Sequence, residues 1–190
     1  MEKILIVPIG TIEEDILDHI RSVLQETFQR EAIVSEPLII PQQAYNARRK
    51  QYHSTRILKV LGAMKPASCE FLLGVIDEDC YVPELNFVFG EADLLARAAV
   101  IALPRLRQDF YGYDPDRDLL LLRAAKEAIH ELGHTCGFGH CPDPRCVMHF
   151  SNSLGDTDVK TTRFCDACRN MRVSQRVIRN NAGRVKRGES

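Results

Sequence analysis

The stretch His130-Glu131-Leu132-Gly133-His134-Thr135-Cys136-Gly137-Phe138-Gly139-His140-Cys141 reads HExxHxxGxxHC. On a helix, positions i and i+4 share one face one turn apart, so His130 and His134 can hold one metal ion between them. Glu131 can then reach a water on that ion and act as general base. A continued helix would carry a third ligand away from the ion. Gly137 can take the positive φ that ends a helix and turns the chain. His140 closes a three-histidine set with one position open, which is the catalytic arrangement for zinc; a structural site is closed by four ligands. Three imidazoles suit zinc and also accept cobalt, nickel or iron. The plain competitor is a helix with incidental histidines on its polar face. HExxH alone leaves that competitor standing, whereas Gly137 and His140 at their offsets argue against it.

Four of the seven cysteines form two pairs. Cys165-x2-Cys168 has a standard zinc-knuckle spacing, and Cys141-x4-Cys146 lies within range of one. Four thiolates make a closed tetrahedral site, hence a structural one. A set of buried thiols without metal, or a disulfide pair, is the competing reading. Cys141 directly follows His140, so their Cα atoms sit about 3.8 Å apart. The expectation is two Zn2+ per chain, one catalytic and one structural, as near neighbours. The second would tie the C-terminal segment to the floor of the first. Cys69, Cys80 and Cys136 read as small core residues.

HExxHxxGxxH is the signature of the metzincin metallopeptidases, and the continuation Cys141-x4-Cys146-x-Met148 … Cys165-x2-Cys168 resembles the archaemetzincin branch. The resemblance covers nearly the whole chain and is most specific from Lys126 to Cys168. It implies a zinc-dependent hydrolase of peptide bonds acting on a peptide or protein. It implies that Met148 forms the methionine turn, an apolar base beneath the histidines and not a ligand. In metzincins the fourth strand runs antiparallel to the rest and forms the edge above the cleft. By that resemblance Asn86, Phe87, Val88, Phe89 and Gly90 are the candidate substrate-binding edge, where an extended peptide pairs by main-chain hydrogen bonds; an ordinary core strand is the alternative. Phe150–Ser153 would line the pocket for the residue after the scissile bond. Tyr45, Arg48, Gln51 and Tyr52 resemble a stretch ahead of the second helix, with no chemical role to derive. His149 is left out of the ligand set.

The elements that must position these residues follow from the pattern. Lys3–Pro8 is an apolar run of strand length, and Thr11 with Glu14 spells a capping box. The helix after it carries Ile12, Ile16, Ile20, Leu24 and Phe28 on one stripe. Ala32–Leu38 is a second strand, so strand–helix–strand makes a parallel βαβ unit. Pro41–Gln51 reads as an irregular loop, His53–Met64 as a helix, and Phe71–Ile76, Asn86–Gly90 and Ala98–Leu103 as strands. Asp77-Glu78-Asp79 reads as a solvated acidic turn, with a cation or a substrate amino terminus as its functional alternative. The active-site helix is expected from Asp114-Pro115 onward, with Asp116 or Asp118 as other caps. Leu122, Ala125, Ile129 and Leu132 form its apolar face, and Glu127, His130 and His134 face the cleft. The fold class is therefore α/β: a metzincin-like twisted five-stranded mixed sheet, two backing helices, an active-site helix and a small zinc-stabilised helical C-terminal subdomain. Residues 1–137 would form the N-terminal part and 138–190 the C-terminal part of a single domain.

The 190 residues allow one domain with a sizeable core. A net charge of −1 supplies no overall field for nucleic acid or a membrane surface. No apolar run reaches the ~20 residues of a membrane helix, and the apolar stretch at the N-terminus is too short for a signal peptide. The expected compartment is the cytoplasm, where thiols stay reduced, and the fold is expected to be entered at Lys3 without a propeptide. The basic residues Arg169, Arg172, Arg176, Arg179, Arg184, Lys186 and Arg187 read as a solvated face. They also keep open a second class of function, a non-catalytic zinc-stabilised interaction module. Glu131 beside a metal site argues against that, since a binding module has no use for it.

Overall fold

The structure, a computed structural model, describes residues 3–171. In chain order the elements are β1 (Lys3–Ile9), α1 (Glu14–Phe28), β2 (Ala32–Val34), β3 (Tyr45–Asn46), β4 (Gln51–His53), α2 (Ser54–Met64), β5 (Cys69–Ile76), β6 (Cys80–Tyr81), β7 (Gly90–Asp93), β8 (Ala98–Ala102), α3 (Arg117–Thr135) and α4 (Leu154–Val159). Five strands form one sheet in the order β2-β1-β5-β8-β7, and β3-β4-β6 form a small second sheet. In the main sheet β7 is antiparallel to β8 and lies at the edge; every other pairing is parallel.

β5 is buried along its whole length, as a parallel strand covered on both faces must be. Ile4 and Ile6 of β1 pack with α1 and α3 against Phe71, Leu73 and Val75. Leu5, Val7 and Ile9 point the other way, onto Ile57, Leu58 and Leu61 of α2. The period of two along each strand thus feeds two cores.

Several boundaries differ from the sequence pattern for identifiable reasons. α1 starts at Glu14, with Glu13 as an N-cap that makes no side-chain cap bond. Glu13 and Asp15 instead pair with Arg117 at the start of α3, so the carboxylates join two helices. β2 stops at Val34 because Pro37 has no N–H to donate; pairing resumes only as a bridge between Ile9 and Leu38. Asn86–Gly90 is not a strand: the edge strand is Gly90–Asp93, preceded by a single bridge between Val88 and Cys80. Side chains from β4 and the turn before it take the carbonyls of Leu85 and Asn86 that a strand would have paired. The acidic turn is not free either, for Asp77 pairs with Arg107 and Asp79 with Arg105.

Asp116, not Asp114, caps α3, accepting from Leu119 N at 2.9 Å. The helix is buried on nearly all sides from Arg123 to Gly133, while Leu122 is 41% exposed. It is the central helix of the molecule, packed on β7, β8 and α1 on one side and on α4 on the other. The short α4 was not legible from hydrophobic pattern. Ser153 and Asp156 cap it reciprocally. Among the basic C-terminal residues only Arg169 falls within the described range.

Candidate active site and metal centres

α3 delivers His130, Glu131 and His134 from one rigid element. It ends at Thr135, and Gly137 takes φ 92° so that the chain turns back under the helix. The turn places the carbonyl of Phe138 against His134, whose Nδ1–H donates to it at 2.8 Å. The Nδ1–H of His130 donates to the Val147 carbonyl at 2.8 Å. Both bonds fix the tautomer, so both Nε2 atoms carry lone pairs. Those two atoms face each other at 3.1 Å. A tetrahedral zinc with nitrogens at ~2.0–2.1 Å sets them about 3.3–3.4 Å apart. The His140 ring lies 4.9 Å from that of His134, and the possible ligand atoms of all three histidines fall within 4.8 Å of one another. Burial pushes all three imidazoles below their ordinary value, His130 down to about 2, and the nearby Lys160 ammonium adds to the effect. They are neutral near pH 7, as ligands must be. The donor set fits a metal ion.

Glu131 is buried in the wall of a cleft of about 770 Å³. Burial first, and then the carboxylates of Glu127 and Glu91, hold its carboxyl well above the usual range, while Lys160 opposes them. The start of the edge strand presses on this side chain. A Cβ on Gly90 would lie 2.5 Å from Glu131 Cγ and 2.8 Å from Cδ, so only glycine leaves Glu131 its place. Residues 82–91 form one wall of the cleft, and Phe150, Ser151 and Asn152 belong to another part of its lining. Asn86–Phe89 therefore reach the cleft as irregular chain, and Gly90 as the first residue of the strand. No tyrosine or arginine lines the cleft among the described residues.

Met148 is fully buried beneath α3. A Cβ on Gly133 would come within 2.4 Å of its sulfur, which explains a glycine at an otherwise unassigned position of the motif. The same turn supplies Val147 O to His130 and Met148 O to the Cys141 amide at 2.9 Å. His149 donates to Cys141 O and stands outside the ligand set.

The four cysteines predicted as a set come together. Cys141 and Cys165 sulfurs are 3.7 Å apart, and those of Cys146 and Cys168 3.8 Å. Four thiolates at ~2.3 Å around a tetrahedral ion have sulfurs about 3.8 Å apart. All four are free thiols, at distances no disulfide allows. The Cys168 amide holds Cys165 below the usual thiol range, whereas burial pushes Cys141 and Cys168 up.

Sequence reasoning missed the brace behind the cleft. Arg49 Nη2 donates to the carbonyls of Leu85 and Asn86 at 2.9 and 3.0 Å. Gln51 Nε2 donates to Asn86 O and to Asp79, both at 2.9 Å. Arg105, paired to Asp79, lies over the Phe87 ring at 4.4 Å. Gln51 belongs to the stretch that carried a resemblance but no role. Its role is to hold the rim, and no periodicity encodes a contact between residues so far apart in sequence.

Comparison with known proteins agrees with this geometry. A family model for peptidase family M54 matches residues 1–173. The archaemetzincin of Methanocaldococcus jannaschii is 46% identical over 87% of this chain and 90% of its own length. That of Pyrococcus abyssi is 42% identical over 88% and 93%. The crystal structure of archaemetzincin from Methanopyrus kandleri superposes with a TM-score of 0.81 at 38% identity, covering 92% of this chain and 94% of that one. The Archaeoglobus fulgidus archaemetzincin, complexed with malonate, gives 0.77 at 38% identity over 88% and 98%.

Proposed function

The chain belongs to peptidase family M54, the archaemetzincins, and is a zinc metallopeptidase; from that premise we propose that His130, His134 and His140 hold the catalytic zinc and that Glu131 is the general base. Bound zinc supplies a Lewis acid and lowers the pKa of water toward ~7. Glu131 takes the proton released as the water oxygen bonds to the scissile carbonyl carbon. It returns that proton to the amine nitrogen as the C–N bond breaks. The neutral imidazoles stay in place through Val147 O and Phe138 O. Met148 closes the floor with an apolar side chain. The substrate lies along residues 86–90, with Phe150–Ser153 toward the side of the leaving amine.

Cys141, Cys146, Cys165 and Cys168 take a second, structural zinc, which makes two per chain. We read residues 1–137 and 138–190 as the two parts of one metallopeptidase domain, working in the cytoplasm on peptides or proteins, with neither nucleic acid nor membrane as partner. No helix among the described residues is long and apolar enough to cross a membrane.

The observation that carries the reading is the convergence of two lone-pair nitrogens at 3.1 Å, with Glu131 beside them in the cleft. The test is cleavage of a diverse peptide library by the zinc-loaded protein and by Glu131→Ala. We expect cleavage by the parent and a loss of roughly 10²–10⁴-fold in the variant, with histidine-site zinc retained. Full hydrolysis by Glu131→Ala would rule out this mechanism. Failure of both proteins to cleave would favour the binding module.

A further inference from the structure

Lys160 is the largest fully buried side chain among the described residues, yet it carries an ammonium. Its Nζ makes no hydrogen bond in good geometry but lies 2.9 Å from Glu127 Oε1, an ion pair with both side chains almost wholly inaccessible. Thr157 Oγ1 donates to the same oxygen at 3.3 Å. The neighbouring Lys126 is not the counter-charge. Its ammonium donates to the carbonyls of Thr157 and Asp158 at 2.9 and 3.1 Å. Arg123 is likewise occupied, by the Asp158 carboxylate.

A buried ion pair is a poor device for stability, because two apolar residues of similar volume usually serve as well or better. Its location gives another reason for it. Glu127 lies on α3 one turn before Glu131, on the same face, and both line the cleft. Glu91 lines it too, its carboxylate accepting from Thr55 Oγ1 at 2.8 Å and from Ser54. Glu127, Glu131 and Glu91 thus line one cleft, and Lys160 is the cation paired with the first of them.

We propose that Lys160, outside the histidine motif, is a positioning residue of the hydrolytic centre: its buried amino group pairs with Glu127 one helical turn before Glu131, so that this face of α3 brings no second unpaired carboxylate to the cleft. This rests on the peptidase reading above. Among the α3 residues that line the cleft, Glu131 is then the one carboxyl outside an ion pair.

The test compares zinc-loaded parent, Lys160→Met and the double variant Lys160→Met/Glu127→Gln in steady-state peptide cleavage and in thermal unfolding. Lys160→Met should lose at least about tenfold in kcat with KM within about twofold. The double variant buries no lone charge and should return to within about threefold of the parent's kcat. Its unfolding midpoint should lie above that of Lys160→Met. If Lys160 merely clamped α4, the double variant would lack the clamp and stay as impaired as the single one, which would overturn the proposal. So would a parent-like kcat in Lys160→Met. Should Lys160→Met fail to fold, the double variant is judged against the parent alone: recovery within threefold supports the proposal and a tenfold deficit refutes it. An inactive parent would instead refute the peptidase reading, and the proposal with it.

Discussion

The two proposed metal-ligand sets stand next to each other in the chain and are built on opposite principles. Two of the three histidines come from one long helix, buried in the core and held by carbonyls of the turns beneath it. The protein's own packing and hydrogen bonds hold these ligands. The four cysteines come from the segment 141–168, much of it irregular chain around the six-residue α4. There, on the proposed reading, a bound ion orders the protein. A site that is held can leave a coordination position open for chemistry, while a site that holds has to be closed.

The largest effect that could break this contrast comes from removing one set at a time. Replacing Cys165 and Cys168 by serine would forfeit the proposed structural metal, and such binding is worth on the order of 10 kcal/mol in small zinc modules. We expect zinc content to fall from two to none, peptide cleavage to vanish and the thermal midpoint to drop sharply. The catalytic ion is lost as well because Cys141 adjoins His140 and Val147 O orients His130. His134→Ala should remove one zinc and all cleavage but leave the midpoint well above that of the cysteine variant. Equal loss of midpoint in the two variants would erase the distinction between a set that is held and a set that holds.

How far each region was legible follows from the same difference. Helix period, a glycine stop and ligand chemistry are local codes, and they singled out His130, Glu131, His134 and His140, which line one cleft. Cysteine spacing did the same for Cys141, Cys146, Cys165 and Cys168. What escaped was non-local. The rim at Asn86–Phe89 looked like a strand because Phe87, Val88 and Phe89 alternate. Arg49 and Gln51, more than thirty residues away, take the carbonyls that would make it one. The Lys160–Glu127 pair was hidden because a lysine reads as surface until a helix is seen to cover it.

Packing between the two regions gives a sharper and smaller test. Gly133 and Met148 meet where α3 lies on the turn below it, and a methyl group at 133 would come within 2.4 Å of the sulfur. Gly133→Ala should cost about 1–3 kcal/mol as an overpacked core does, and should lower kcat by displacing the turn that orients His130. Gly139→Ala is the control, for a Cβ there meets nothing within 4 Å. Urea midpoints of the two variants that coincide would show that the turn yields freely and that the histidine set is less firmly held than its geometry implies.

The smallest effect concerns how α4 is ordered on the cysteine side of the contrast. Asp156 accepts from the amides of Asn152 and Ser153, each at 3.0 Å, and from the Ser153 hydroxyl at 2.9 Å. The Ser153 hydroxyl bond, first among these, holds its carboxyl below 3.8. A depressed folded-state pKa means that the stabilisation is complete above 3.8 and is lost as pH falls through the lower, folded value. Asp156→Ala should therefore cost about 0.5 kcal/mol at neutral pH, the low end for a capping residue exposed to solvent. The gap between variant and parent should close only as the pH falls below 3.8. Urea titrations at neutral pH and near pH 3 measure both values. A gap that persists unchanged in acid would mean that Asp156 acts through packing and not through its charge, and that local capping contributes nothing to a segment ordered by its metal alone.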